Sequence, residues 1–223
     1  MIALYRSDLG RKYVMAVTGA LLLTFVFLHM VGNLKLYAGA HELDHYGEWL
    51  REIGYPALPH SGFLWLMRFG LVAAVGLHLD AAFKLARKSR AARPVDYAAP
   101  REYVAADFAS RTVRWTGPIV LLFIIFHLLD LTIGTANPNF VAEHPYENLV
   151  ASFQRAPVAL AYVVANLALA FHLYHGAWSL FQSLGIGGPG TRQRTRYFAI
   201  GFATVIALGN ISFPLAVVTG LVG

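Results

Sequence analysis

Five of the nine histidines in this sequence fall within long apolar stretches, and four of them, His29, His78, His127 and His172, fall in four different stretches. The fifth, His175, follows His172 by three residues. A charged group at membrane depth costs about 2.5 kcal/mol or more, so each of these imidazoles needs to be neutral and to have a partner or a task. A neutral imidazole can hydrogen-bond a neighbouring helix, pass a proton, or give a nitrogen to a metal. For one histidine the first reading is at least as good as the third. For one in each of four successive stretches it is not. His41, His45, His60 and His144 lie in polar connections, where a solvated or interfacial role is the default. The absence of cysteine excludes a disulfide framework, an all-cysteine iron-sulfur site and a thiol nucleophile within the chain, so any metal here is held by histidine, methionine or carboxylate.

The elements that carry these histidines are helices that cross a bilayer. Of the 223 residues, 57% are hydrophobic and only 13% charged, far more apolar than an ordinary globular domain. A hydrocarbon core of about 30 Å needs roughly 20 apolar residues in a helix. Five stretches meet that length, at about 12–36, 62–86, 111–134, 157–183 and 196–221. The first follows Arg6, Arg11 and Lys12 as a signal peptide would, but it is too long and lacks a cleavage pattern, so it reads as a retained span. Connections are expected at 37–61, a long loop; at 87–110, a basic loop; at 135–156, a polar loop; and at 185–190, a glycine-rich turn. No repeat, linker or low-complexity segment divides the chain, so residues 1–223 form one all-α membrane domain.

Fourteen Lys and Arg residues lie at the N-terminus and in the second and fourth connections, against four, Lys35, Arg51, Arg68 and Arg155, on the other side. This bias puts the N-terminus in the cytoplasm and the C-terminus outside. The net charge of +6 therefore reflects topology and does not form a nucleic-acid surface.

Depth pairs the histidines. At about 1.5 Å per residue, His29 and His127 each lie roughly 10 Å from the outer ends of the first and third spans, while His78 and His172 lie in the inner halves of the second and fourth. Two pairs at two depths are what two bis-histidine hemes stacked across a bilayer require. The fifth span has no histidine. Gly32, Ala74 and Gly176, one turn from His29, His78 and His172, leave room for a porphyrin against the helix faces.

Four further groups stand out. Arg68, inside the outer half of the second span, either meets a heme propionate or snorkels to the headgroups. Asp130, three residues after His127, either relays protons to a quinone, accepts a hydrogen bond from a ligand histidine, or pairs with a nearby base, and Asp80 has similar options nearer the inner surface. Trp115 and Trp178 are expected as interfacial anchors. Pro214 is read as the one proline deep inside a span, which speaks against the broken helices of a transporter whose histidines form a proton relay.

Certain runs are more specific. Thr18-Gly19 precedes Phe27-Leu28-His29-Met30-Val31-Gly32-Asn33-Leu34, then come Gly76-Leu77-His78, Ala109-Ser110-Arg111 and Phe126-His127-Leu128, and Phe171-His172-Leu173-Tyr174-His175-Gly176-Ala177-Trp178 opens a run to Gly185. In these pieces the chain resembles the single-polypeptide diheme cytochrome b subunit of bacterial succinate:quinone oxidoreductases and fumarate reductases, over nearly its whole length. The resemblance implies His29 and His127 on the outer heme iron, and His78 and His172 on the inner one, which coincides with the pairing from depth. It implies His175 as a group beside the inner heme, with a rival claim to the ligand position. Also implied are two b hemes, a menaquinone or ubiquinone site in or beside the chain, and a flavoprotein and an iron-sulfur protein docked on the cytoplasmic face of a bacterial inner membrane. Such a subunit does not oxidise succinate by itself; it anchors the complex and carries its electrons to or from quinone. A diheme subunit of another quinone-linked dehydrogenase is the alternative, and the run after Phe171 argues against it. Some members place a Glu two residues before the fourth-span ligand; here that residue is Ala170.

Overall fold

A computed structural model describes residues 7–92, 108–186, 188 and 190–223, with the backbone alone for 108–112. Residues 93–107 of the expected basic loop, the N-terminal segment with Arg6, and Gly187 and Pro189 of the fourth turn lie outside the described residues, as do the side chains of the Ala109-Ser110-Arg111 motif. The α-helices of the described chain are α1 (Asp8–Asn33), α2 (Ala40–Glu52), α3 (Gly62–Ala91), α4 (Phe108–Leu131), α5 (Pro145–Phe153), α6 (Ala156–Ser183) and α7 (Arg192–Val218), and no strand occurs among the described residues. Among them α1, α3, α4, α6 and α7 are long and apolar enough to cross a membrane.

The spans begin and end a few residues away from the apolar limits because helix formation and membrane burial have different causes. Ser7 accepts the Gly10 amide at 3.0 Å and Asp8 meets the positive end of the dipole, so α1 starts before its apolar run. At the other extreme, α3 continues to Ala91 through Lys84, Arg87, Lys88 and Arg90, good helix formers that also suit a helix C-terminus. Lys88 pairs with Asp8 and clamps the end of α3 to the start of α1. The α7 helix stops at Val218, where Gly220 at φ +72° lets the Leu221 and Val222 amides return to the Ala216 carbonyl.

Two expectations are corrected. The connections at 37–61 and 135–156 are not plain loops, since each contains a helix, α2 and α5, too short to appear in a search for membrane-length runs. The two pack together as a cap over one end of the bundle: Asp44 accepts the Tyr146 amide at 2.9 Å, and Arg51 approaches Glu143 at 3.7 Å. We call this end the capped pole and the opposite end the basic pole. Pro214 is also not alone, because Pro118 lies inside α4. Each removes one backbone hydrogen bond, a loss that neighbouring helices in a membrane can absorb.

Packing follows the logic of a membrane interior. Small residues lie between the helices, among them Ala81, Ala177 and Ala199, each fully buried, while Val72 is 70% and Leu208 68% exposed on the outside. A Cβ on Gly209 of α7 would run into the Met30 side chain of α1. The α6 helix is central: it packs on α7, α4 and α1, whereas α3 packs on α1. The largest buried cluster runs from Leu169 and Leu173 of α6 through Tyr162 to Phe153 of α5 and Leu43 of α2, joining the bundle to its cap.

Candidate functional site

The four histidines meet in two pairs. His29 of α1 and His127 of α4 have ring centroids 5.8 Å apart with planes at 85°, near the capped pole. His78 of α3 and His172 of α6 are 6.5 Å apart at 68°, nearer the basic pole. Two imidazoles that bind one metal from opposite sides have centroids about 6 Å apart, with a metal–nitrogen bond of about 2 Å on each side. The helix backbones stand apart where the rings meet. Among the described residues, neither α1 with α4 nor α3 with α6 is a closely packed pair, although α1 packs on α3 and α4 on α6. The histidines thus reach across space that backbone contact does not close, and His29 itself is exposed.

The Nδ1 atoms of three of these rings, and the fourth ring itself, have different surroundings. His78 Nδ1 lies 3.2 Å from the Thr18 hydroxyl, whose proton goes to the Val14 carbonyl at 2.7 Å, so the hydroxyl is left to accept from the imidazole. His127 Nδ1 lies 3.4 Å from the Tyr162 hydroxyl, which donates to Asp130 Oδ2 at 2.9 Å. His172 Nδ1 is buried with no hydrogen-bond partner among the described residues. His29 has Phe25 stacked on it at 5.3 Å.

These residues fit a heme with one imidazole on each face. The orphaned His172 nitrogen is suited to a polar group that the side chains do not supply, and glycine faces two of the rings: a Cβ on Gly19 would meet His78 at 3.6 Å, and one on Gly117 would meet His172 at 3.9 Å. A Cβ on Gly176 would meet nothing within 4 Å among the described residues. Gly32 has a different use, because its missing Cβ makes way for the Tyr46 ring of α2, where a methyl would come within 2.7 Å. Among the described residues no three His, Cys, Asp or Glu side chains gather to hold a bare ion. A macrocycle brings its equatorial ligands with it and asks the protein only for the axial ones.

The other expected residues fall as follows. Asp130 is fully buried and takes the Arg155 guanidinium, the Ser152 hydroxyl and the Tyr162 hydroxyl, so of its three expected uses pairing with a base is directly seen. Arg68 is exposed, its guanidinium 4.8 Å from the centre of the Trp65 ring. Asp80 accepts from Lys84 at 2.8 Å, one turn along α3. His175 is half-buried on α6, beside the face that carries His172. Trp115 is 75% exposed, as an anchor would be, but Trp178 is only 7% exposed and lies with Ala177 against Ala199 of α7. Small residues on both helices admit the indole between them, which corrects the expectation of an interfacial position.

Tyr162 and Ser152 had no marked role in the sequence, Arg155 counted there only as an outer-side charge, and Thr18 only as part of a motif run. Depth would have found Tyr162. It precedes His172 by ten residues, about 15 Å along a helix antiparallel to α4, which brings it level with His127.

Residues 104–210 match the family described as succinate dehydrogenase/fumarate reductase transmembrane subunit. The matched stretch holds α4, α5, α6 and most of α7, and with them His127 and His172, whereas His29 and His78 precede it. No curated protein and no solved structure matches the chain.

Proposed function

We propose that this chain, whose residues 104–210 match the succinate dehydrogenase/fumarate reductase transmembrane-subunit family, is a multi-pass cytochrome b membrane subunit of such a complex, binds two b hemes and connects the dehydrogenase to the quinone pool. The observation that carries this reading is the pair of ring-to-ring approaches, 5.8 and 6.5 Å, at two levels of one bundle. His29 and His127 would hold the outer heme; His78 and His172 would hold the inner one. Bound there, the hemes supply one-electron carriers at two depths of the membrane.

The protein's own part is to hold and orient these groups. Thr18 fixes the tautomer of His78 from α1. Exposed apolar side chains such as Val72 and Leu208 set the bundle in lipid and keep water from its flanks. The cations at the basic pole, Lys84, Arg87, Lys88, Arg90, Arg192, Arg194 and Arg196, support a cytoplasmic placement of that pole, with the flavoprotein and iron-sulfur subunits of a bacterial inner-membrane complex docked on it. The cap formed by α2 and α5 then faces outward, as does the C-terminus. The quinone, menaquinone or ubiquinone, reacts in or beside this chain. Ala170 leaves no carboxylate two residues before His172, so proton uptake linked to quinone does not use that position.

The test is a reduced-minus-oxidised spectrum of the purified complex with heme and protein both quantified. Two low-spin b hemes per chain are expected; a ratio near zero in an intact complex overturns the diheme reading and leaves the anchor.

A further inference from the structure

Tyr162 is 4% exposed and fixed by three aromatic rings, with Phe153 at 4.8 Å, Phe123 at 5.1 Å and Phe126 at 5.9 Å from its centroid. Its hydroxyl proton is committed. Asp130 Oδ2 takes it at 2.9 Å, and an ionised carboxylate accepts but cannot donate. Asp130 is itself held in place by Ser152 and by Arg155, whose other terminal nitrogen donates to the Ala136 carbonyl at 2.8 Å. What the Tyr162 oxygen still offers is a lone pair, and His127 Nδ1 faces it at 3.4 Å. Only an N–H on that nitrogen can use it.

We propose that Tyr162 is a positioning residue of the outer heme site: it holds His127 as the Nδ1–H tautomer, leaves Nε2 as the nitrogen for iron, and ties the imidazole to a buried, arginine-paired carboxylate. This rests on the reading that His29 and His127 ligate the outer heme. An acceptor on the far nitrogen of a ligating histidine raises the basicity of the ring, and a more basic axial ligand favours the oxidised iron. The acceptor here is a hydroxyl polarised by a carboxylate, at a long distance. Tyr162 therefore lowers the potential of one heme and leaves the other alone, since the inner pair has its own contact through Thr18.

The experiment is a redox titration of both hemes in the purified complex carrying Tyr162→Phe, which keeps the ring packing and removes the hydroxyl. Both hemes are expected to stay low-spin, the outer one becoming roughly tenfold easier to reduce, about 59 mV for one electron, and the inner one unchanged. An unshifted outer heme, or an equal shift of both, overturns the role of Tyr162. His127→Ala is measured in parallel: loss of the outer heme there keeps the ligand reading whatever the tyrosine variant does, and retention of two low-spin hemes overturns the ligand reading itself. Should the Tyr162→Phe complex not assemble, Ser152→Ala loosens Asp130 without touching either ring. It is expected to shift the outer heme alone and by less than Tyr162→Phe does, and no shift overturns the proposal.

Discussion

The two histidine pairs share a ring-to-ring geometry and differ in what stands behind it. Near the capped pole, His127 leans on Tyr162, and Tyr162 on a carboxylate that also takes an arginine and a serine, contributed by α4, α5, α6 and the short link between the last two. Nearer the basic pole, His78 leans on one threonine whose other bond stays within its own helix, and His172 Nδ1 has no hydrogen-bond partner among the described residues. Burial explains the difference in scale. A carboxylate removed from water must be fully satisfied, so placing Asp130 in the interior obliges neighbouring helices to converge on it, whereas a hydroxyl such as Thr18 can be satisfied by its own backbone. One site is embedded in a network that also holds the cap to the bundle; the other is a local arrangement between two helices.

Heme content gives the largest contrast. His29→Ala and His127→Ala are each expected to take heme from two per chain to one, with the same heme lost, while His78→Ala and His172→Ala lose the other; spectra and heme quantification read this directly. If the His29 and His127 variants lose different hemes, the pairing across the bundle is wrong.

Stability should separate the sites next. Asp130→Ala strands the Arg155 guanidinium, whose side chain is 29% exposed, and removes the acceptor of Ser152 and Tyr162, a loss of about 3 kcal/mol. Thr18→Val removes one neutral hydrogen bond worth about 1 kcal/mol. Thermal unfolding of the detergent-purified protein should therefore drop markedly for the first and little for the second. Equal drops would mean that the network is not what distinguishes the capped half.

His175 gives a smaller effect. It is displaced from His172 by about 60° around α6, so both rings can approach the inner heme while only one binds its iron. His175→Ala is expected to keep two hemes, with at most a shifted midpoint for the inner one. Loss of that heme, together with a low-spin spectrum in the His172 variant, would move the ligand by one turn.

The smallest effect lies at the rim of the capped pole. A hydrogen bond from Lys35 holds the Glu42 carboxyl below its usual range. Since its folded value is the lower one, any contribution is present above the unfolded value and fades as pH falls through the folded value. The pair is open to solvent, so Lys35→Met should leave the melting temperature at neutral pH almost unchanged.

How far the site was legible follows from the same contrast. Positions fixed by membrane depth could be read because a helix converts residue number into height, and this brought His29 level with His127 and His78 level with His172. Contacts that turn on direction around a helix could not. Arg155 was legible as a topological charge, but its turn inward to Asp130 depends on where α5 ends and α6 begins, and α5 was hidden in an expected loop. Trp178 looked interfacial by height and is buried by azimuth. Gly32 was assigned to a cofactor and serves the Tyr46 ring, because the α2 cap was not visible in a search for long apolar runs. Pro118 was missed since the α4 helix begins before its apolar run does, which puts the proline further inside.

The α6 helix carries Tyr162 on its capped half and His172 on its basic half. Residues on one helix turn about 100° per position, so one residue added or removed between them would swing one side chain a quarter-turn relative to the other. Whichever stayed in place, its counterpart would point toward lipid or a neighbouring helix, and one of the two sites would be dismantled without any of its residues having changed. Val164 and Leu167 lie exposed in the same segment and pack against little of the protein, so exchanges among apolar types there should pass almost unnoticed. Between Tyr162 and His172 the chain is permissive about which apolar residues it contains and strict about how many.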